Sequence, residues 1–258
     1  MEETGKNPIQ VAERLFQVIE RLAENGPMGI MDLSAELGFH KSTTHRLVTS
    51  LQYMGYIRQD EESLKYALSL KFLEIGSKIL EQTNMASLIH PSLKKLSAQT
   101  GETVHLVRRE GTEAVYIDKV ESTVSSIRMV SRVGSRIPLY CSGVGKALLA
   151  ELPDPEIEDI WNSSEITSLT PYTVTSLSDL MDRIRGVREA GYAMDDEENE
   201  EGVRCIAVSI PDYHKEPVYA LSISAPVSRM TDARIAELSA DVLTFKKDLE
   251  KTLGFSRS

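Results

Sequence analysis

Hydrophobic positions recur at helical spacing three times near the start of the chain. The pattern predicts helices over residues 9–24, 31–37 and 41–54. Each is followed by a residue that ends helices: Asn25-Gly26-Pro27 after the first, Gly38 after the second and Gly55 after the third. The predicted apolar stripe of the first helix comprises Ala12, Leu15, Phe16, Ile19, Leu22 and Ala23.

The third helix has one apolar and one polar face. Its predicted apolar stripe comprises Leu47, Val48, Leu51 and Met54, with the methyl group of Thr44 beside them. A polar turn over 60–63 then separates two strand-like segments, 56–59 and 64–68, which together predict a β-hairpin. Three helices followed by a hairpin are typical of a winged helix-turn-helix.

The remainder of the chain predicts one more helix and then a mixed domain. Leu70, Leu73 and Ile75 lie in a helical pattern over 69–80, and its apolar arc is too wide for a solitary helix, so we expect it to pack against a second subunit. Further helices are predicted over 85–99, from Gly143 to 151, and over 155–161, 176–190 and 232–253. Strands are predicted over 102–108, 113–120, 127–131, 192–194, 205–210 and 218–224.

Adjacent strands with helices at both ends favour an antiparallel sheet covered by helices. The predicted fold class is therefore α+β in two domains. We expect a winged helix-turn-helix over 1–68, a linker helix over 69–84 and a second domain over 85–258.

The polar face of the third helix has the composition that the major groove of DNA requires. Short side chains let a helix approach the base edges, and cations pair with phosphates or guanine. We therefore expect DNA contacts from Lys41, Ser42, Thr43, His45, Arg46 and Thr49, and from Arg58 and Lys65 of the hairpin. An ordinary solvated face has a similar pattern, and some winged helices only dock proteins, but the ordered set of elements favours DNA.

The overall charge limits how DNA is held. The 258 residues carry a formal net charge of −10, whereas proteins that bind DNA by bulk attraction are usually basic. Contact with DNA is therefore expected from one small region. Two cysteines form no disulfide framework and fit a reducing cytoplasm. The acidic start lacks the layout of a signal peptide, and no apolar run is long enough for a membrane, so no membrane partner is expected.

Two features of the second domain suggest a ligand site. Gly143-Val144-Gly145-Lys146 opens a helix whose free amides favour an anion, although a tight strand-to-helix turn explains it equally well. The P-loop spacing is absent. Asp195 begins an acidic run that is more often a solvated loop than a site. Ser222 and Ser224 share one side of a strand, where they either bind a ligand or face solvent.

These segments together resemble one family. Residues 29–38 and Lys41-Ser42-Thr43-Thr44-His45-Arg46-Leu47 are similar to the DNA-binding region of the IclR family of bacterial regulators, as are residues 66–71. Residues 142–150 and 191–207 resemble the family's glycine loop and acidic segment. Within the family, residues 199–208, 127–129 and 138–140 look nearest to regulators of 2-keto-3-deoxygluconate metabolism.

The resemblance implies a GAF-like effector domain without catalytic activity, and a homodimer or tetramer that binds double-stranded operator DNA. It also implies control of a catabolic operon, with repression of sugar-acid genes as our expectation. The effector contacts of the family, transferred motif by motif, fall on Met129, Ile137, Gly143, Val144, Asp195, Val203, Cys205, Ser222 and Ser224. Apolar walls, amides, hydroxyls and one acid suit a small carboxylate such as a 2-keto acid or sugar acid. Val144 and Ile137 are bulkier than the small residues of the family, which leaves the size of the effector open.

Other functions have weaker support. Cys141 before a helix could act as an enzyme nucleophile with His105 as base, but no motif links them, and a buried structural thiol is the simpler interpretation. The five histidines are scattered, so neither a metal nor another cofactor is expected. A protein that keeps the winged fold only for docking remains the other alternative.

Overall fold

The computed structural model describes residues 9–82, 85–122, 130–212 and 214–253. The described residues up to 82 form one compact unit, and those from 85 onward form a second. None of the helices in these residues combines the length and apolar character that a bilayer crossing needs.

The first unit is three helices, a hairpin and a further helix. Its elements are α1 (Gln10–Asn25), α2 (Ile30–Leu37), α3 (Lys41–Tyr53), β1 (Ile57–Gln59), β2 (Tyr66–Leu68) and α4 (Lys71–Gln82). β1 and β2 are antiparallel, and Met28 adds a bridge to Tyr66. Gly38 and Gly55 both have positive φ, as their predicted helix-ending role requires. The core contains Val18, Leu22, Leu33, Leu47, Val48, Leu51, Ile57 and Tyr66.

Three predicted apolar positions in this unit, Phe16, Ala23 and Met54, are wrong, because all three are exposed. Phe16 is 61% exposed, whereas Val18 is fully buried. The buried face of α1 is therefore rotated about the helix axis, away from Phe16 and toward Val18. Met54 follows the last residue of α3, where the chain turns toward β1, and it is 40% exposed. Thr44 is buried as predicted, and its hydroxyl faces the carbonyl oxygen of His40.

The second unit is a six-stranded antiparallel sheet with helices on both faces. The strands are β3 (Thr103–Glu110), β4 (Glu113–Val120), β5 (Arg136–Pro138), β6 (Ala193–Asp196), β7 (Val203–Ile210) and β8 (Tyr219–Pro226), in the order β5-β4-β3-β8-β7-β6. The helices are α5 (Met85–Thr100), α6 (Gly143–Leu149), α7 (Asp154–Asn162), α8 (Leu177–Ala190) and α9 (Asp232–Thr252).

Alternation along the strands gives the sheet two different faces. Large residues such as Ile206, Val208 and Ile223 pack in one cluster with Leu93 of α5 and Leu238 of α9. The other face carries small residues, including Ala193, Ala207 and Ala220, which pack in a cluster with α6. Because small residues occupy this face, helix α6 lies close to the strands and is buried over its whole length.

One predicted strand differs from the structure. Residues 127–129 of the predicted 127–131 strand lie outside the described residues, and Val130 and Ser131 are not in a strand. The edge strand β5 was not predicted. It has three residues and includes Pro138, which is compatible with an edge position but gives almost no periodic signal.

Candidate functional sites

Helix α3 presents the expected polar face to solvent. Lys41, Ser42, His45, Arg46 and Thr49 are exposed and Thr43 is half-buried, whereas Thr44, Leu47, Val48 and Leu51 are buried. The helix contains no acidic residue. A cationic, acid-free face of short side chains therefore protrudes from an otherwise acidic protein, which is the composition that contact with phosphates and base edges requires.

The hairpin places its two cations on either side of an acidic tip. Arg58 is exposed on β1, and Lys65 is exposed just before β2, within a turn that is longer than predicted. Asp60 accepts hydrogen bonds from the backbone N–H of Ser63 at 2.8 Å and from its hydroxyl at 2.7 Å. These two hydrogen bonds lower the pKa of Asp60, so the tip stays negatively charged and only the flanks of the hairpin suit a phosphate backbone.

In the second unit, strand register brings several predicted effector residues together. Asp195 on β6 lies opposite Cys205 on β7, and Cys205 lies opposite Ser224 on β8. Ser222 is two positions along β8 on the same face. Both serines are buried, so the alternative that they face solvent is wrong. Asp195, Cys205, Ser224 and Ser222 together form a polar belt on the face of the sheet that packs against α6.

A histidine completes this belt. His105 on β3 pairs with Ser222, and its Nδ1 lies 3.4 Å from Ser222 Oγ and 3.3 Å from Ser224 Oγ. The ring of Tyr116 packs edge-on against the imidazole, with 5.1 Å between centroids. Burial, together with the nearby charge of Lys119, lowers the pKa of His105 to about 3, so the ring is neutral.

The start of α6 packs directly against Asp195. A Cβ atom on Gly143 would lie 3.4 Å from the Asp195 nitrogen, so this glycine lets helix α6 lie close to the polar belt. Gly145 has a different role, because its Cβ would collide with the backbone of Leu139 at 2.2 Å. The Gly145 amide donates to Ser142 Oγ at 3.1 Å, so it is already capped. The first turn of α6 therefore offers a ligand fewer amides than the sequence suggests.

The Asp195 carboxylate is buried in a turn. Its Oδ1 accepts hydrogen bonds from the backbone N–H groups of Glu198, at 2.8 Å, and of Asn199, at 3.3 Å. Burial, strengthened by the neighbouring Glu198 carboxylate and opposed by Lys146, raises the pKa of Asp195 to about 7. This side chain can therefore accept or donate a hydrogen bond near neutral pH.

Part of the acidic run is also buried, against the interpretation of a solvated loop. Glu198 and Lys146 form an ion pair with side chains 3% and 1% exposed. The Glu198 carbonyl accepts a hydrogen bond from Thr173 Oγ1 at 2.6 Å. This pair fixes the Asp195 turn against α6. Both residues stand in segments that resemble family motifs, but sequence reasoning missed their pairing, because the two partners are 52 residues apart.

The remaining predicted effector residues are dispersed. Ile137 is buried on β5, at the opposite edge of the sheet from Asp195, but shares a cluster of apolar side chains with the buried Val144 of α6. Val203 is partly buried at the start of β7, on the same face as Cys205. Met129 lies outside the described residues.

The geometry removes the enzyme alternative. Cys141 is buried, and desolvation together with the Asp195 charge raises the pKa of its thiol to about 12. A nucleophilic cysteine needs a lowered pKa. The His105 ring nitrogens contact serine hydroxyls. Among the described residues, no three histidine, cysteine, aspartate or glutamate side chains converge to hold a metal ion.

Comparisons with known proteins agree with this architecture. Residues 11–61 match the IclR helix-turn-helix domain, and residues 77–250 match the bacterial transcriptional regulator IclR C-terminal domain. The transcriptional repressor IclR of Escherichia coli K12 is 35% identical over 252 residues, covering 96% of this chain and 92% of that protein. The regulator KdgR of the same organism is 35% identical over 252 residues, covering 97% and 95%.

A solved structure is similar across both units. The crystal structure of the Thermotoga maritima IclR aligns with a TM-score of 0.63 and 31% identity, and the alignment covers 95% of this chain and 99% of that one. The two domain matches, the long alignments and the exposed face of α3 all identify a regulator and not an enzyme. The chain belongs to the IclR family of bacterial transcriptional regulators.

Proposed function

We propose that this protein is a repressor whose affinity for operator DNA is set by a small carboxylate. In this proposal residues 1–68 bind DNA, residues 69–84 link the domains and residues 85–258 bind the effector. The contacts with DNA come from the exposed face of α3, centred on Lys41 and Arg46, and from the flanks of the hairpin. The relative named as a repressor in Escherichia coli supports the direction of control.

The observation that carries the effector part is the buried polar belt. Asp195, Ser222, Ser224 and His105 are each no more than 4% exposed, on a sheet whose other face is apolar. The protein already supplies partners for these groups, since Asp195 accepts from two backbone N–H groups and both serines contact His105, yet apolar residues of the same shape would stabilise the sheet at least as well. A ligand that pairs with them explains why polar residues stand there.

The chemistry of the belt fits a 2-keto acid or sugar acid. Serine hydroxyls and Asp195 suit the carbonyl or hydroxyl oxygens of a small ligand. The resemblance of residues 199–208 to regulators of 2-keto-3-deoxygluconate metabolism supports a sugar-acid operon as the target. A homodimer or tetramer supplies the paired DNA-binding helices that operator recognition needs.

Two measurements on the full chain test the proposal. A gel shift with the DNA upstream of the protein's own gene should show a complex that is lost when α3 carries both Lys41→Ala and Arg46→Ala. A thermal-shift panel of pyruvate, glyoxylate, 2-keto-3-deoxygluconate and gluconate should raise the melting temperature with at least one compound, because a ligand of the folded state stabilises it by mass action. A shift that is unchanged in Ser222→Ala/Ser224→Ala would place the ligand elsewhere.

A further inference from the structure

His105 occupies the centre of the polar belt. It stands on β3, opposite Ser222 of β8 on one side and Lys119 of β4 on the other, and it is 2% exposed. Its second ring nitrogen, Nε2, lies 2.7 Å from Ser131 Oγ. One imidazole therefore contacts three serine hydroxyls, and two of these are proposed to touch the effector.

A neutral imidazole has one N–H donor and one acceptor nitrogen. Each of these contacts must therefore have a defined direction. The short 2.7 Å contact at Nε2 has the length of an O–H donor, because N–H donors usually lie 2.9–3.0 Å from oxygen. Nδ1 lies 3.3 and 3.4 Å from two oxygens, the longer distances of an N–H shared between two acceptors. These lengths favour the tautomer in which Ser131 donates to Nε2 and Nδ1–H is shared by Ser222 and Ser224.

We propose that His105 is a positioning residue that makes the effector site specific for a hydrogen-bond acceptor. Because Nδ1–H already occupies a lone pair on each serine oxygen, both hydroxyl hydrogens turn away from the ring. The thiol of Cys205 beside Ser224 is only a weak acceptor. The two serine oxygens lie 3.4 Å apart, so one hydroxyl can donate to the other, and the remaining hydroxyl hydrogen donates to the effector, which must present an acceptor oxygen such as a keto or carboxylate oxygen at this end. This inference rests on the proposed effector site.

The first test needs no effector. Full-length protein labelled with ¹⁵N at its five histidines gives nitrogen shifts that distinguish the two neutral tautomers from imidazolium. The His105→Asn variant identifies the His105 signals by their loss. We expect a neutral ring with the proton on Nδ1, unchanged between pH 5 and 8. A proton on Nε2, or a ring that becomes charged in this range, would overturn the assignment.

The second test compares pyruvate with L-lactate by calorimetry. The two acids share a carbon skeleton, but the keto oxygen of pyruvate only accepts, whereas the lactate hydroxyl also carries a donor. Wild type should prefer pyruvate, and His105→Leu should reduce the ratio of the two affinities by about 3- to 10-fold, the effect of one directed hydrogen bond. His105→Asn should restore part of the preference, because its amide still supplies a donor to the serines.

The outcomes separate the two proposals. If His105→Leu only destabilised the protein, it would weaken the binding of both acids equally and leave the ratio of their affinities unchanged. An unchanged ratio would therefore overturn the proposed role of His105. If wild type binds neither acid, nor any compound of the thermal-shift panel, the small-carboxylate effector is wrong. The histidine spectrum still decides which way the serines point.

Discussion

At the scale of single residues, Asp195 links the effector site to pH. Its pKa is about 7 in the folded chain and 3.8 in an unfolded one. Between these values the folded state keeps a proton that the unfolded state releases, so the Asp195 contribution to the free energy of unfolding falls as pH rises. Asp195→Asn should remove this dependence while its amide oxygen still accepts from the Glu198 N–H.

The measurement is urea unfolding of both proteins from pH 4.5 to 8. We expect Asp195→Asn to be more stable than wild type at pH 8 by roughly 1–3 kcal/mol, with the difference shrinking toward pH 4.5. The comparison cancels the titration of other carboxylates. The neighbouring Glu198 and Lys146 remain in both proteins, so parallel pH profiles would show that Asp195 ionises normally.

Glycine at position 145 is required by a close backbone approach. Gly145→Ala would place a Cβ atom 2.2 Å from the Leu139 carbonyl oxygen, so α6 must move away from that segment. We expect a loss of about 3 kcal/mol or more in the free energy of unfolding. Gly186→Ala is the matched control, since Gly186 lies inside α8 with no atom within 4 Å of its Cβ position. It should stabilise the protein by about 0.5–1 kcal/mol, measured in the same denaturation series.

At the scale of elements, α3 should account for operator recognition. Arg46→Ala and Lys41→Ala remove exposed cations without touching the buried stripe, so both variants should fold normally. A base contact should cost about 1–3 kcal/mol and relax specificity at one position, whereas a phosphate contact should weaken all sequences alike. Fluorescence anisotropy with operator and scrambled DNA distinguishes these cases.

The control for charge is Lys78→Ala. Lys78 is an exposed cation of the same unit, paired with Glu74 on α4 and therefore remote in sequence from the recognition helix. Its loss should leave operator affinity within about twofold of wild type, as expected for an exposed ion pair. If α3 variants bind as tightly as this control, the recognition helix is not α3.

Local pattern predicts elements well where one face is buried. The stripe through Leu47 and Leu51, together with Gly55, defines α3 from sequence alone. The short β5 is invisible to periodicity, because three residues hold no repeat. The burial of Asp195 and Glu198 was also beyond prediction, because it depends on an ion pair between Glu198 and Lys146, which lies 52 residues earlier in the chain. His105 was accessible in principle, because Thr103, His105 and Val107 alternate onto one face of β3.

At the scale of the whole molecule, the segment formed by Leu70 and helix α4 is the candidate contact between subunits. Leu70 and Leu73 are 81% and 70% exposed, and Ile75 is 38% exposed. Contiguous exposed apolar residues mark an interaction surface. Leu73→Lys should raise the dissociation constant of the dimer at least about tenfold, because each subunit loses one buried leucine. Leu64→Lys, at an equally exposed leucine of the hairpin turn, is the control. Light scattering that shows a monomer at micromolar concentration for wild type would contradict the scheme.

The final prediction couples the two units through their ligands. If an effector weakens operator binding by some factor, operator must weaken effector binding by the same factor, because the coupling free energy is shared. The compound found by thermal shift is titrated into the protein by calorimetry, once with operator and once without. The ratio of its two affinities should equal the ratio of the operator affinities measured with and without the compound. Asp195→Ala should lower effector affinity in both titrations while leaving effector-free DNA affinity unchanged, since α3 is intact. Equal effector affinity with and without DNA would show that the compound occupies the belt without being the signal, and equal affinity in wild type and Asp195→Ala would remove Asp195 from the site.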